Sequence, residues 1–282
     1  MTELSFEVFP PSTPVGLEKL RRAAADLGAT QPRYVSVTYG AGGSQRERSF
    51  AAIEAVHDAD LDVTAHLTCV GQSRADVESV LERYVRLGIG RVVALRGDPP
   101  EGVDAPYAPH PDGFTRTDEL VGVAADRGMR VAVSAYPERH PQSPSFDHDL
   151  DVLAAKVAAG ADEAITQMFF DVDALLRLRD RIARRGIDVT LVPGIFPIHS
   201  FEAVARFAAR CGAVLPDAVA ERFAGVDDDT VAHDIAAELA AEHIDRLRDE
   251  GLDHFHLYTL NRSALALDVC RRIGHAPMAV TA

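Results

Sequence analysis

"LSFEVFPPSTPVGLEKLRRAAADLG", residues 4–28, contains the plan of the whole chain. Residues 4–9 place Leu4, Phe6 and Val8 at alternate positions, the period of a β-strand, and Pro10-Pro11 ends the run. From about 14 to 27 the apolar residues recur at helical spacing, and Gly28 stands where a C-cap glycine is expected. Strand, helix and glycine make one βα unit.

The unit repeats along the chain. Strands are expected at 33–40, 61–70, 91–97, 130–137, 163–170, 188–196 and 254–260. Their helices follow near 45–58, 73–87, 116–127, 147–159, 172–185, 200–210 and 262–273, with additional helices near 216–223 and 228–250 before the last strand. Gly88, Gly128, Gly160, Gly186 and Gly251 repeat the C-cap signal. Near-continuous apolar strands imply a parallel sheet covered on both faces, and eight units favour closure into a (β/α)8 barrel. A doubly wound open sheet is the competing arrangement, because periodicity does not see closure.

The 282 residues, 47% hydrophobic and 26% charged, suit one domain with a large core. A formal charge of -14 argues against nucleic acid and anionic membrane as partners, since both require a basic surface. Cys69, Cys211 and Cys270 are odd in number and far apart, as expected of reduced thiols in the cytoplasm. No signal-peptide pattern or apolar span of membrane length is present, so a cytoplasmic protein is expected. P-loop, dinucleotide-fold, G-x-S-x-G and H-E-x-x-H motifs are absent, and no histidine or cysteine spacing suggests a metal. The oligomeric state is left open.

In a barrel, chemistry belongs at the C-terminal ends of the strands. Those ends supply Glu7, Thr38 with Tyr39, His66 with Thr68, Arg96 with Asp98, Tyr136 with Glu138 and His140, Gln167, and Tyr258 with Asn261 and Arg262. Each has an ordinary structural explanation, such as a core histidine or a surface pair. Their convergence on one rim is what suggests a site, while the "VPGIF" end reads as structural. The long segment "GDPPEGVDAPYAPHPDG" (97–113) and the glycine-containing "YGAGGS" (39–44) would be loops on that rim. Glu7 is the least ordinary member. With Phe6 and Val8 facing the helices it would point into the barrel mouth, where desolvation raises a carboxyl pKa and suits it to act as a general acid.

In order along the chain, "SFEVFPP", "YVSVTYGAGGSQRERS", "AHLTCV", "VALRGDPP", "SAYPERHP", "AITQMFFD", "VPGIFPI" and "FHLYTLNR" resemble the methylenetetrahydrofolate reductase family, over residues 5–262. The resemblance implies a (β/α)8 barrel reducing 5,10-methylenetetrahydrofolate to 5-methyltetrahydrofolate with NADH or NADPH. Glu7 then corresponds to the acid that protonates N10 and opens the imidazolidine ring to a 5-iminium cation. Asp98 corresponds to the aspartate that contacts the pterin and favours that cation, and Gln167 to a glutamine bonded to the pterin. Phe223, Tyr258 and Arg262 are expected to bind substrate. Thr38, Tyr39, His66, Arg96, Tyr136 and His140 correspond to residues that bind the redox cofactor, usually FAD.

Departures bear on that cofactor. Thr115 or Arg116 occupies the place of an expected tyrosine, and Val152 and Ala155 replace an amide and a phosphate-binding arginine, although Asp149 and Lys156 remain. These losses make the chain similar to flavin-free members, with the nicotinamide passing hydride directly to substrate. An FAD-dependent, ping-pong reductase is the alternative, and a non-catalytic folate-binding barrel a further one.

Overall fold

β1 (Glu3–Val8) leads into α1 (Pro14–Gly28), whose N-terminus is capped by the Thr13 hydroxyl accepting from Gly16 N at 3.1 Å, with Pro14 in the first turn. The computed structural model describes residues 2–41, 43–99, 105 and 107–275, with Gly43 and Ser44 described by backbone alone. Gly42 and most of the 100–106 segment, parts of the two expected rim loops, lie outside the described residues.

The remaining units follow in order. They are β2 (Tyr34–Val37) and α2 (Gly43–His57), β3 (Val63–Thr68) and α3 (Arg74–Arg86), β4 (Arg91–Leu95) and α4 (Thr117–Ala125). Then come β5 (Arg130–Ala135) and α5 (Phe146–Ala158), β6 (Glu163–Thr166) and α6 (Val172–Arg184), β7 (Thr190–Val192) and β8 (Gly194–Ile195). The chain ends with α7 (Phe201–Cys211), α8 (Asp217–Phe223), α9 (Asp229–Asp249), β9 (His254–Tyr258) and α10 (Ser263–Arg272).

All strand pairs are parallel, in the order β7-β6-β5-β4-β3-β2-β1-β9-β8. The strand expected over 188–196 is in two pieces, and the break explains the closure. Pro193 has no N–H to donate, so the ladder changes partner there: β7 pairs with β6, β8 pairs with β9, and the Pro193 carbonyl accepts from His256 N at 2.9 Å. One continuous segment therefore bridges the two edges of the sheet, and the arrangement is a barrel rather than an open sheet. One cap also differs from expectation. α1 runs through Gly28, and the left-handed turn falls on Gln31 (φ 52°); a Cβ on Gly28 would touch Leu61 at 3.4 Å.

Alternation sorts the strand residues into two environments. Leu4, Phe6, Val8, Val35, Val37, Ala65, Leu67, Phe255 and Leu257 join the main core between sheet and helices. Inside the barrel, Val93, Ala132, Ile165 and Val192 form a small separate apolar cluster beside Leu95. The opposite half of the interior is polar: Ser5 Oγ lies 3.1 Å from His254 Nε2 and 2.8 Å from His256 Nδ1, and Ser36 Oγ lies 3.3 Å from His256 Nε2. At the floor, Glu163 is 1% exposed and meets Arg91 at 2.8 Å, Arg33 at 3.1 Å and Tyr34 Oη at 3.2 Å. Paired polar groups thus replace the branched aliphatic layers usual in such a barrel.

Gly194 marks the tightest approach in the wall. A Cβ there would lie 2.2 Å from Thr166 O and 2.6 Å from the Tyr258 ring. Gly194→Ala is therefore expected to destabilise the protein by about 1–3 kcal/mol through overpacking. Thermal denaturation would show it, and because Tyr258 must move, the Michaelis constant for substrate should rise as well.

Candidate active site

The strand C-termini open into a cavity of about 840 Å3, within the range of small-molecule sites. It runs from Glu7 in the barrel mouth outward along α4 and α5.

Glu7 is the second-last residue of β1, paired with Ser36 on one side and Tyr258 on the other. Its side chain keeps 23% exposure, and it lines the cavity. Desolvation pushes its carboxyl up to about 8, so the acid holds its proton at neutral pH. His66 Nε2 lies 3.6 Å from Glu7 Oε2, too far for a hydrogen bond, and burial pushes this imidazole down to about 3. The pair is thus a neutral acid beside a neutral imidazole. His66 Nε2 is buried with no hydrogen-bond partner among the described residues, which leaves it to a ligand.

Gln167 follows β6; its Oε1 accepts from Met168 N at 2.9 Å, which leaves the amide nitrogen as the donor end facing a ligand. Tyr258 lines the cavity with its ring only, because its hydroxyl donates to Thr166 O at 2.7 Å. Asp98 and Arg96 follow β4, and the Arg96 guanidinium lies 4.8 Å from the Tyr107 ring centre. Tyr136 packs edge-on against His140 at 4.8 Å, and His140 N donates to Asp149 Oδ2 at 3.0 Å. Desolvation, then the nearby Arg96 charge, lowers His140. Thr38 and Tyr39 complete the wall, the Tyr39 hydroxyl donating to Gln72 Oε1 at 2.9 Å.

Two expected substrate residues do not line this cavity. Phe223 is 8% exposed and stacks on Phe201 at 5.4 Å, so its ring is spent in the packing of α7 on α8. Arg262 sits behind the rim, beside a void of about 10 Å3 that it shares with His199 and Leu265. In their place the cavity takes aromatic surface from Phe207 on α7, Phe196 after β8 and Phe146 on α5. Phe207 is 42% exposed, but Ala203 and Val204 lie one turn before it and Cys211 one turn after, so the sequence does not set it apart from the packing residues of α7. Phe196 belongs to the "VPGIF" end that reads as structural.

The outer half of the cavity is the part that could hold a dinucleotide. Lys156 reaches in from α5, donating to Ser134 O and Oγ at 3.2 and 3.4 Å, and burial pushes it down to about 8. Asp149 and Asp118 act on it through space, but among the described residues neither forms an ion pair with its ammonium, so a ligand phosphate would give it a direct charge-assisted partner. Arg96 and Arg181 also line this region, whereas Val152 and Ala155 present apolar surface on α5. These residues fit an elongated anionic cofactor. Among the described residues no cluster of three or more His, Cys, Asp or Glu could hold a metal, and no helix is long and apolar enough to cross a membrane.

Comparison with known proteins supplies independent information. Residues 1–274 match the family profile described as methylenetetrahydrofolate reductase. The 5,10-methylenetetrahydrofolate reductase of Escherichia coli (strain K12) is 38% identical over 276 residues, covering 97% of this chain and 91% of that one. The enzyme of the same name from Salmonella typhimurium is 37% identical over 279 residues with the same coverage. Among solved structures, a Clostridium thermocellum protein described as binding two copies of 5-methyl-5,6,7,8-tetrahydrofolic acid superposes with a TM-score of 0.67. It covers 96% of this chain and 95% of its own, at 12% identity, and so supports the fold alone.

Proposed function

The chain belongs to the methylenetetrahydrofolate reductase family, and from that premise we propose how its residues carry the reaction. It is an NAD(P)H-dependent oxidoreductase that reduces 5,10-methylenetetrahydrofolate. Glu7 protonates N10 of the substrate, the bond between N10 and the methylene carbon breaks, and positive charge develops on N5. When bound, the reduced nicotinamide supplies the hydride that the methylene carbon accepts.

The observation that carries this reading is the state of Glu7. A carboxyl pushed up to about 8 at the floor of the cavity offers a proton at neutral pH. Neutral His66 takes no part of that proton and adds no opposing charge beside the developing cation. Asp98 favours the cation electrostatically, and the Gln167 amide orients the pterin.

The hydride passes to substrate directly, without an intervening flavin. Support comes from the α5 wall, where Val152 and Ala155 line the cavity beside Lys156. Neither can replace a charge-assisted contact to a pyrophosphate, worth about 1.5–3 kcal/mol. One observation favours FAD as carrier instead: Arg181, stacked on Phe146 at 4.1 Å, brings a guanidinium to the same wall. The purified protein is expected to show no flavin absorption band, and initial velocities with both substrates varied should give intersecting lines. A retained flavin band with parallel lines would establish the FAD-dependent route.

A further inference from the structure

Beyond Glu7 the ladder between β1 and β9 stops, because β9 turns away into α10 through Leu260 (φ 49°) and Asn261 (φ 57°). Left-handed backbone is common for asparagine but unusual for leucine, so surrounding contacts must hold it. Those contacts are made to the segment carrying Glu7. Thr259 N and Oγ1 both donate to the Glu7 carbonyl, at 3.2 and 2.7 Å. The Asn261 side chain then takes the place of a strand backbone: its Oδ1 accepts from Phe9 N at 2.9 Å and its Nδ2 donates to Phe9 O at 2.8 Å. Thr259 Oγ1 also accepts from Asn261 N at 3.1 Å, tying the two residues into one unit.

We propose that Thr259 and Asn261 form a clamp that positions Glu7 for proton transfer. The inference rests on Glu7 being the acid and adds two residues, Thr259 and Asn261, that do not line the cavity. The need for the clamp follows from sequence. Pro10 and Pro11 carry no N–H, so Phe9 N is the last backbone donor by which the end of β1 can be tied on its β9 side, beside the carbonyls of Glu7 and Phe9. On the other side, Thr38 N donates to Val8 O at 3.0 Å. Residues from the two ends of the chain therefore fix one carboxyl, and a displacement of about 1 Å can cost on the order of a hundredfold in rate.

Steady-state kinetics of the full-length variants Asn261→Ala, Thr259→Val and Thr259→Ser test the clamp. The first two are expected to lose roughly 10- to 100-fold in kcat, with KM for both substrates within about threefold of wild type. Thr259→Ser, which keeps the hydroxyl, should stay within about threefold in both constants. The double variant Glu7→Gln with Asn261→Ala should be no slower than Glu7→Gln alone, because a clamp has nothing to position once the acid is gone. If Asn261→Ala fails to fold by circular dichroism, Thr259→Val and its double variant with Glu7→Gln decide the matter. Wild-type kcat in a folded clamp variant, or additive losses in the double variant, would overturn the proposal while leaving Glu7 as the acid. A Glu7→Gln enzyme at wild-type speed would overturn both readings.

Discussion

Glu7→Gln is expected to lower kcat by about 10²- to 10⁴-fold, the usual contribution of a positioned general acid. Glutamine preserves the shape of the side chain but has no proton to give to N10. On the proposed reading Gln167 and the aromatic wall hold the ring system, so substrate binding should change little. The wild-type pH profile gives a second readout with a definite sign. An acid must be protonated to act, so kcat/KM, which reports the free enzyme, should be level below about pH 8 and fall as pH rises through that value. The Gln variant should lose this alkaline limb altogether. A profile with the limb intact in the variant would assign it to another group.

The same substitution should stabilise the protein, and the direction follows from proton binding. The folded carboxyl titrates near 8 and the unfolded one near 4.5, so between those values the native state binds a proton that the unfolded state has released. Stability then declines as pH rises through this window, by at most about 3–5 kcal/mol, and levels off above it. Glutamine carries no such penalty, so the melting temperature of Glu7→Gln should exceed that of wild type most clearly at pH 8 and above. His66 contributes the opposite slope. Its folded value of about 3 against 6.5 unfolded favours the unfolded state as pH falls through that range. A site poised with both groups neutral is therefore bought with stability on both sides of neutrality.

How far these features are legible in sequence differs from residue to residue. Alternation places Phe6 and Val8 outward and Glu7 inward, because a strand has a strict period of two. Closure of the barrel is not legible in periodicity. It depends on Pro193 forcing a change of partner, and which strand receives β8 is a matter of three-dimensional position. Phe207 and Phe223 show the same boundary. Both lie on amphipathic helices, but only packing decides that Phe223 is consumed between α7 and α8 while Phe207 reaches the cavity. The Thr259–Asn261 clamp is half visible, since the strand end places Asn261 on the rim beside Tyr258 and Arg262 but does not show what it bonds. The asparagine's role required the left-handed backbone and a partner 252 residues away.

The opposite end of the barrel should respond to substitution in the opposite way, losing stability rather than rate. Glu163→Ala is expected to destabilise the fold by about 3–5 kcal/mol, the cost of leaving a buried charge without its partner. Three arginines surround Glu163, but they do not lose equally. Arg33 keeps Glu3 at 2.5 Å and Arg130 keeps Asp162 at 2.7 Å, while Arg91, only 12% exposed, has no other carboxylate within 4 Å among the described residues. The Tyr34 hydroxyl loses its acceptor at the same time. Removing the stranded charge should therefore recover much of the loss, and Glu163→Met with Arg91→Met is expected to be more stable than Glu163→Ala in urea denaturation. If Glu163→Met alone, which fills the void but keeps Arg91, proves as stable as the double variant, the cost belongs to the void left by the side chain rather than to Arg91. Because the floor and the mouth lie at opposite ends of the strands, kcat of the folded fraction should be nearly unchanged in both variants. A large fall in kcat would mean instead that the polar half of the interior, from Glu163 through Ser5 and His256, transmits the floor's geometry to Glu7.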